Sequence, residues 1–375
     1  MPLNKYPRAP LQHSGFLRVT GNSSIYYEQR GNPSGPAVVF IHGGPGGLSC
    51  PEDSQWFDPD YYNIILYDQR GTGQSRPSIS NMDTEPQQFS TLTIDDMTAD
   101  LDKLRISLEI DKWLLFGGSW GSTLSLYYAA NYPKHVAGLI IYGIFLNTPE
   151  EMSQYFDSRI IKERFSVLGE QALQVLFAYA KSRGYSISPD KPQQFVDTYY
   201  KLCIGNDMTA QYLWTAFERF NDEPTDESLR RLRDVPEIIN PSDRTHAVFE
   251  TTLFRYAYHG FNLLDERLLT RLKDIDIRIL QGRNDTEAPP IFAQQLIDAL
   301  RKIKPDLWYH FIDGKHAADS SVALTDALLD CTNAFKHVPP PKIKQAHARV
   351  STMGQFSKSV KQEQILQSGP TPGLN

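Results

Sequence analysis

Apolar residues along this chain first gather into short unbroken runs, each closed by a polar or glycine-rich turn. Ala37 to Ile41, Asn63 to Tyr67, Trp113 to Phe116 and Val136 to Phe145 are such runs. Strands covered on both faces of a parallel sheet read this way, because neither face alternates with solvent. Two shorter β-like runs, Phe16 to Thr20 and Ser24 to Arg30, flank Gly21-Asn22-Ser23 and predict an antiparallel hairpin that opens the sheet. Between the runs lie helical periods. Ile94, Met97, Leu101, Leu104 and Leu108 recur at helical spacing behind a capping Thr93, and a second helix is expected from Ser122 to Asn131. Strand and helix in alternation predict right-handed βαβ crossovers and a mostly parallel sheet.

The rhythm breaks at Leu146. From there to about Asn262 every period is helical, with aromatic faces that include Phe156, Phe165, Phe177, Tyr199, Tyr200, Tyr212, Trp214 and Phe217. The sheet pattern returns with Ile275 to Gln281, a helix near Ile291 to Lys302, and a last strand Leu307 to Ile312. These features predict an α/β fold divided into a first core part at 1–145, an inserted helical cap at 146–262 and a second core part at 263–336. Beyond lies 337–375, where Pro339-Pro340-Pro341 leads into polar, basic sequence without an apolar period, read as a mobile tail.

Composition narrows the class. Across 375 residues, 40% hydrophobic and 22% charged residues fit a folded globular chain, and no window is long and apolar enough to span a bilayer. The first ten residues lack the apolar stretch of a secretory signal, so a cytoplasmic protein is expected. Three widely spaced cysteines, Cys50, Cys203 and Cys331, suit neither a disulfide framework nor a zinc site. The formal net charge of −6 divides into +5 from Lys336 onward and −11 in the remainder. An acidic body without a basic stripe gives no reason to expect nucleic-acid binding, and it suits a cationic small substrate.

The chemistry centres on Gly117-Gly118-Ser119-Trp120-Gly121, placed between an apolar strand and a helix. A nucleophile elbow turns so sharply there that small residues are needed two before and two after the serine, and Gly117 and Gly121 supply them. A serine hydroxyl needs an imidazole to take its proton and a carboxylate to orient the imidazole. In the chain order Ser, Asp, His, the acid follows the strand after the cap and the histidine follows the last strand. Asp285 and His316 occupy those positions; Asp276 and Asp313 compete for the first role, His310 and His337 for the second. His42, beside the glycine-rich turn 42–47, is read as a residue that organises the loop. An oxyanion hole needs two convergent backbone N–H groups, each worth about 2.7–4 kcal/mol in other serine hydrolases. Trp120 should supply one, and Gly44, with Gly43 as its neighbour, the other. Asp68 to Ser75 reads as a structural loop, since no helix follows its glycines directly. No metal or organic cofactor is implied.

His42-Gly-Gly-Pro-Gly-Gly47, Asp68-Gln-Arg-Gly-Thr-Gly-Gln-Ser75, Gly117-Gly-Ser-Trp-Gly-Ser-Thr-Leu-Ser-Leu126 and Gly143-Ile-Phe-Leu146 together resemble the proline iminopeptidases (prolyl aminopeptidases) of the α/β-hydrolase superfamily. The resemblance implies an α/β-hydrolase core with a helical cap and a serine exopeptidase that removes an N-terminal proline from short peptides with a free N-terminus. It places two amine-binding cap glutamates at Glu218 and Glu250, and a proline-ring pocket at Phe145, Tyr155 and Phe254. Three departures stand out: Tyr142 for the usual arginine, Ala288 for a usual pocket cysteine, and Lys315 for the common glycine before the histidine. Much of 150–188 also lacks the family pattern, so acceptance is expected to widen to another small first residue such as alanine. The rival enzyme reading keeps the triad and makes the chain an esterase, lactonase or amidase on a small neutral acyl compound. A third reading is a catalytically silent binding protein on the same scaffold.

Overall fold

A computed structural model describes residues 5–337, so the expected basic tail, apart from His337, lies outside the described residues. Eight strands form one sheet: β1 (Leu11–Arg18), β2 (Ser24–Gly31), β3 (Ala37–Ile41), β4 (Asn63–Tyr67), β5 (Trp113–Ser119), β6 (Val136–Ile144), β7 (Ile277–Gly282) and β8 (Trp308–Ile312). Their spatial order is β1-β2-β4-β3-β5-β6-β7-β8. β1 and β2 pair antiparallel with each other, β2 pairs antiparallel with β4, and every later pair is parallel. The unbroken runs are the buried middle of this sheet. β3, β4 and β5 sit centrally, with Val38, Val39, Ile64, Ile65 and Leu115 excluded from solvent.

The helices in chain order are α1 (Ile94–Ser107), α2 (Trp120–Asn131), α3 (Pro149–Phe156), α4 (Ser158–Ser182, broken at Ser166), α5 (Pro192–Ile204), α6 (Met208–Asp222), α7 (Asp226–Arg233), α8 (Pro241–Phe254), α9 (Glu266–Leu269), α10 (Pro290–Arg301) and α11 (Val322–Ala334). α1 begins as its sequence dictates: Thr93 Oγ1 accepts from Asp96 N at 3.0 Å, and Asp96 Oδ2 accepts from Thr93 N at 3.0 Å. α3 to α8 all fall between β6 and β7. Their aromatic faces close on one another, with Phe156 stacked on Phe195 at 4.9 Å and 5.0 Å from Trp214.

Two hydrophobic clusters cover the two faces of the sheet. One joins α1, α2, α10 and the inserted helices to residues such as Val39, Ile65 and Leu115; the other joins Val38, Ile64, Phe116 and Ile140 to α11 through Leu324, Leu328 and Cys331. Several element bounds shift by a residue or more from expectation, and three differences stand out. β1 starts at Leu11, five residues before Phe16, because its first half is solvent-exposed edge strand with no apolar alternation to read. α2 starts at Trp120, directly after the strand, because the elbow leaves no intervening loop. α11 was not anticipated; threonines interrupt its apolar positions, and its core partners lie far away in sequence.

Candidate active site

Ser119 ends β5 with φ 55° and ψ −129°, a positive φ rare for a residue with a side chain, and α2 begins at the next residue. The close approach explains the flanking glycines. A Cβ on Gly117 would stand 2.4 Å from Gly121 O, and one on Gly121 would stand 2.1 Å from Ile41 O. β3 therefore packs directly against the first turn of α2, and its following loop arrives beside the serine. Gly43 is so near that a Cβ there would lie 3.4 Å from Ser119 Cβ. His42 fixes this loop: Nδ1 bonds Gly43 O at 2.9 Å and Nε2 accepts from Gln69 N at 3.0 Å. Burial lowers its pKa below the usual 6.5, which agrees with a neutral, loop-holding imidazole.

Asp285 follows β7 and His316 follows β8, and the two meet: His316 Nδ1 lies 2.9 Å from Asp285 Oδ2 and 3.1 Å from Oδ1. The carboxylate is wholly buried and heavily held. Its Oδ1 also accepts from Glu287 N and Ala288 N, and its Oδ2 accepts from Gln281 Nε2 at 2.9 Å. Gln281 in turn accepts from Ile144 N at 2.9 Å, so the acid is tied to the end of β6. Burial by itself would lower the His316 pKa, but the hydrogen bond and charge of Asp285, with Glu287 and Asp222 farther out, push it up to about 9. Gly143 leaves room for the ring, since a Cβ there would stand 3.1 Å from His316 Cε1. The competitors Asp276 and Asp313 instead pair with Arg278 and Asn284. His310 meets Trp308 edge to face, 4.5 Å between ring centres, in the last strand.

A cavity of about 560 Å³ brings most of the expected residues together. Gly43, Gly44, Ser119, His316, Phe145, Tyr155, Phe254, Glu218 and Glu250 all line it, with Asp285 behind His316. Trp120 does not; its indole is buried and donates to Gln69 Oε1 at 3.1 Å, leaving its backbone N–H as the only group it could offer. Phe145 is positioned from α2. Its N–H donates to Ser122 Oγ at 3.1 Å, and its carbonyl accepts from Thr123 Oγ1 at 2.5 Å. Phe254 faces it, 5.2 Å between ring centres.

Glu218 on α6 and Glu250 on α8 touch carboxyl to carboxyl in this wall. Burial comes first and mutual repulsion second in raising the Glu218 pKa; burial also raises that of Glu250. Like charges placed together in this way disfavour ionisation of both carboxyls at once. Of the basic residues beside them, Arg219 is already paired with Asp243 at 2.7 Å, and His246, which also lines the cavity, favours the Glu250 carboxylate.

Sequence reasoning missed three further acids on the cavity wall, Asp222, Asp243 and Glu287. Asp222 sits one helical turn past Glu218, a spacing that could have revealed it. The surrounding protein, and next the charge of Glu287, push its carboxyl up to about 7. Glu287 lies two residues past Asp285, and its Oε2 stands 3.7 Å from His316 Nε2. The departure residue Tyr142 also lines the cavity and covers the elbow so closely that a Cβ on Gly118 would stand 2.3 Å from its ring.

The order of strands, the strained serine and the Asp285–His316 pair define an α/β hydrolase, and the sequence model of the α/β-hydrolase fold matches residues 36–318. A carboxylesterase structure from the thaumarchaeon Nitrososphaera gargenis shares the fold, with a TM-score of 0.52 at 17% identity over 86% of this chain and 99% of that one. The chain belongs to the proline iminopeptidase family. It is 42% identical to a proline iminopeptidase of Xylella fastidiosa over 88% of this chain and 98% of that protein. It is 33% identical to a probable proline iminopeptidase of Leptolyngbya boryana over 88% and 96%, and 32% identical to the Arabidopsis thaliana proline iminopeptidase over 83% and 77%.

Proposed function

We propose that this chain is a serine aminopeptidase that releases an N-terminal proline, and with it another small first residue such as alanine, from short peptides with a free N-terminus. One observation carries the reading: Glu218 and Glu250, which form no ion pair among the described residues, open on the same cavity as Ser119 and His316. A buried carboxylate pair is costly unless something positive offsets it, and a substrate's free amine does so. A neutral ester or lactone would leave that cost standing. Phe145, Tyr155 and Phe254 form the apolar wall against which a pyrrolidine ring packs. The names of the curated relatives agree with this assignment.

In the reaction, Ser119 Oγ attacks the carbonyl carbon of the first residue while His316 Nε2 takes the hydroxyl proton. Asp285 holds the imidazole by Nδ1 and stabilises the imidazolium. The oxyanion rests on the backbone N–H groups of Trp120 and Gly44. Collapse breaks the peptide bond, His316 gives its proton to the departing nitrogen, and the first residue remains as an ester on Ser119. Water, deprotonated by His316, then frees it. Three unpaired thiols, Cys50, Cys203 and Cys331, suit a reducing compartment, and we place the enzyme in the cytoplasm on that chemistry. Incubating the protein with an unlabelled proline-initiated peptide and measuring free proline by mass spectrometry tests the assignment. Release by the native chain and none by Ser119→Ala supports it; internal cleavage products without free proline would sink it.

A further inference from the structure

We infer that Glu287 selects the residue on the far side of the scissile bond, favouring lysine or arginine at the second position of the peptide. This rests on the aminopeptidase reading, and it adds a specificity that the amine clamp and ring pocket do not supply.

The position of Glu287 follows from the imidazole. Asp285 occupies His316 Nδ1, so Nε2 is the nitrogen that hands a proton to the departing amine. That amine is the backbone nitrogen of the second residue. Groups around Nε2 therefore surround the second residue, and Glu287 Oε2 is 3.7 Å from Nε2. The carboxylate is also held in place at its root. Glu287 N donates to Asp285 Oδ1 at 3.1 Å, so the same acid that orients His316 anchors the segment bearing Glu287.

The charges of the cavity leave Glu287 in need of a partner. The substrate amine answers Glu218 and Glu250, and Arg219 is engaged by Asp243 at 2.7 Å. Among the described residues the only ion-pair partner of Glu287 is His316, and that pair lapses whenever the imidazole is neutral and ready to act as a base. Asp222, on the same wall, is a further carboxyl. A lysine or arginine side chain extends several ångströms from its Cα on a flexible stem, enough to reach a carboxylate beside its own backbone nitrogen. Half-exposed as it is, Glu287 gives a screened contribution rather than a buried-pair one. A role confined to tuning His316 would act on every substrate alike, whereas the charge of the second residue would change only the contact to Glu287.

The test compares kcat/KM for proline release from Pro-Lys-Ala-amide, Pro-norleucine-Ala-amide and Pro-Glu-Ala-amide, using the native chain, Glu287→Gln and the exposed control Glu223→Gln. The amides remove the terminal carboxylate, and taking ratios within each protein cancels differences in active fraction. The native chain and Glu223→Gln should favour lysine over norleucine by about fivefold, equivalent to about 1 kcal/mol, and should disfavour glutamate. In Glu287→Gln the lysine-to-norleucine ratio should fall to near one. A native ratio near one, or a preference that survives in Glu287→Gln, would overturn the inference and leave the aminopeptidase assignment standing. Proline release from none of the three peptides would overturn the assignment, and this inference with it.

Discussion

Trp214 Nε1 donates a 2.7 Å hydrogen bond to Glu250 Oε2, and so holds one carboxyl of the Glu218–Glu250 pair from behind. The indole is buried, as is most of Glu250, which makes this a charge-assisted bond in a dry wall. Bonds to charged groups are worth about 1.5–3 kcal/mol. Glu250→Gln or Glu218→Gln should therefore raise KM for a free proline amide by roughly ten- to hundredfold. Trp214→Phe, which keeps the packing and removes the donor, should raise it by only about fivefold, for about 1 kcal/mol. Steady-state kinetics on the three variants checks the order; equal effects from Trp214→Phe and Glu250→Gln would contradict it.

The His316 pKa of about 9, against the usual 6.5, governs the pH dependence of the free enzyme. The imidazole must be neutral to accept the serine proton, so kcat/KM should climb with rising pH well above 6.5 until loss of the substrate's ammonium charge brings it down. Removing a negative neighbour disfavours the protonated ring. Glu287→Gln should accordingly move the rising limb to lower pH, as pH profiles of both proteins would show.

The elbow tolerates no added atom. Gly121→Ala would force its methyl to 2.1 Å from Ile41 O, backbone against backbone. Overpacking of this kind costs about 1–3 kcal/mol, and denaturant unfolding should register it together with lost activity, because β3 and its glycine loop must move away from Ser119.

Arg244 ties the cap helix that bears Glu250 to the loop before α1. Its fully buried guanidinium donates to the carbonyls of Ile79, Asn81 and Thr84 and to Asn206 Oδ1. Arg244→Met would leave several buried acceptors unmet, at about 3 kcal/mol or more. The same unfolding measurement should show that loss, with KM raised as α8 loosens.

Much of this arrangement is legible in the sequence, for reasons particular to each element. β3 and β4 match their apolar runs residue for residue because both faces are covered. Ser119, Asp285 and His316 could be placed because each follows directly on a strand end. The early half of β1 escaped because an exposed edge strand has no pattern, and α11 because its burial depends on distant partners. Asp222 and Glu287 escaped for a different reason. An acid on a helix or loop reads as solvated, and only the meeting of α6 with the segment after β7 shows that both line the cavity beside His316.

In the proposed function, Glu218 and Glu250 require a free amine on the residue whose carbonyl Ser119 attacks. Hydrolysis of a fluorogenic proline amide beside its N-acetylated counterpart, an alanine amide and a short-chain ester, with Ser119→Ala as the blank, tests it most directly. Fast turnover of the free proline amide is expected, with slower turnover of the alanine amide and at least a hundredfold loss on acetylation, about 2.7 kcal/mol. Equal rates with and without the acetyl group, or turnover of the ester alone, would contradict it.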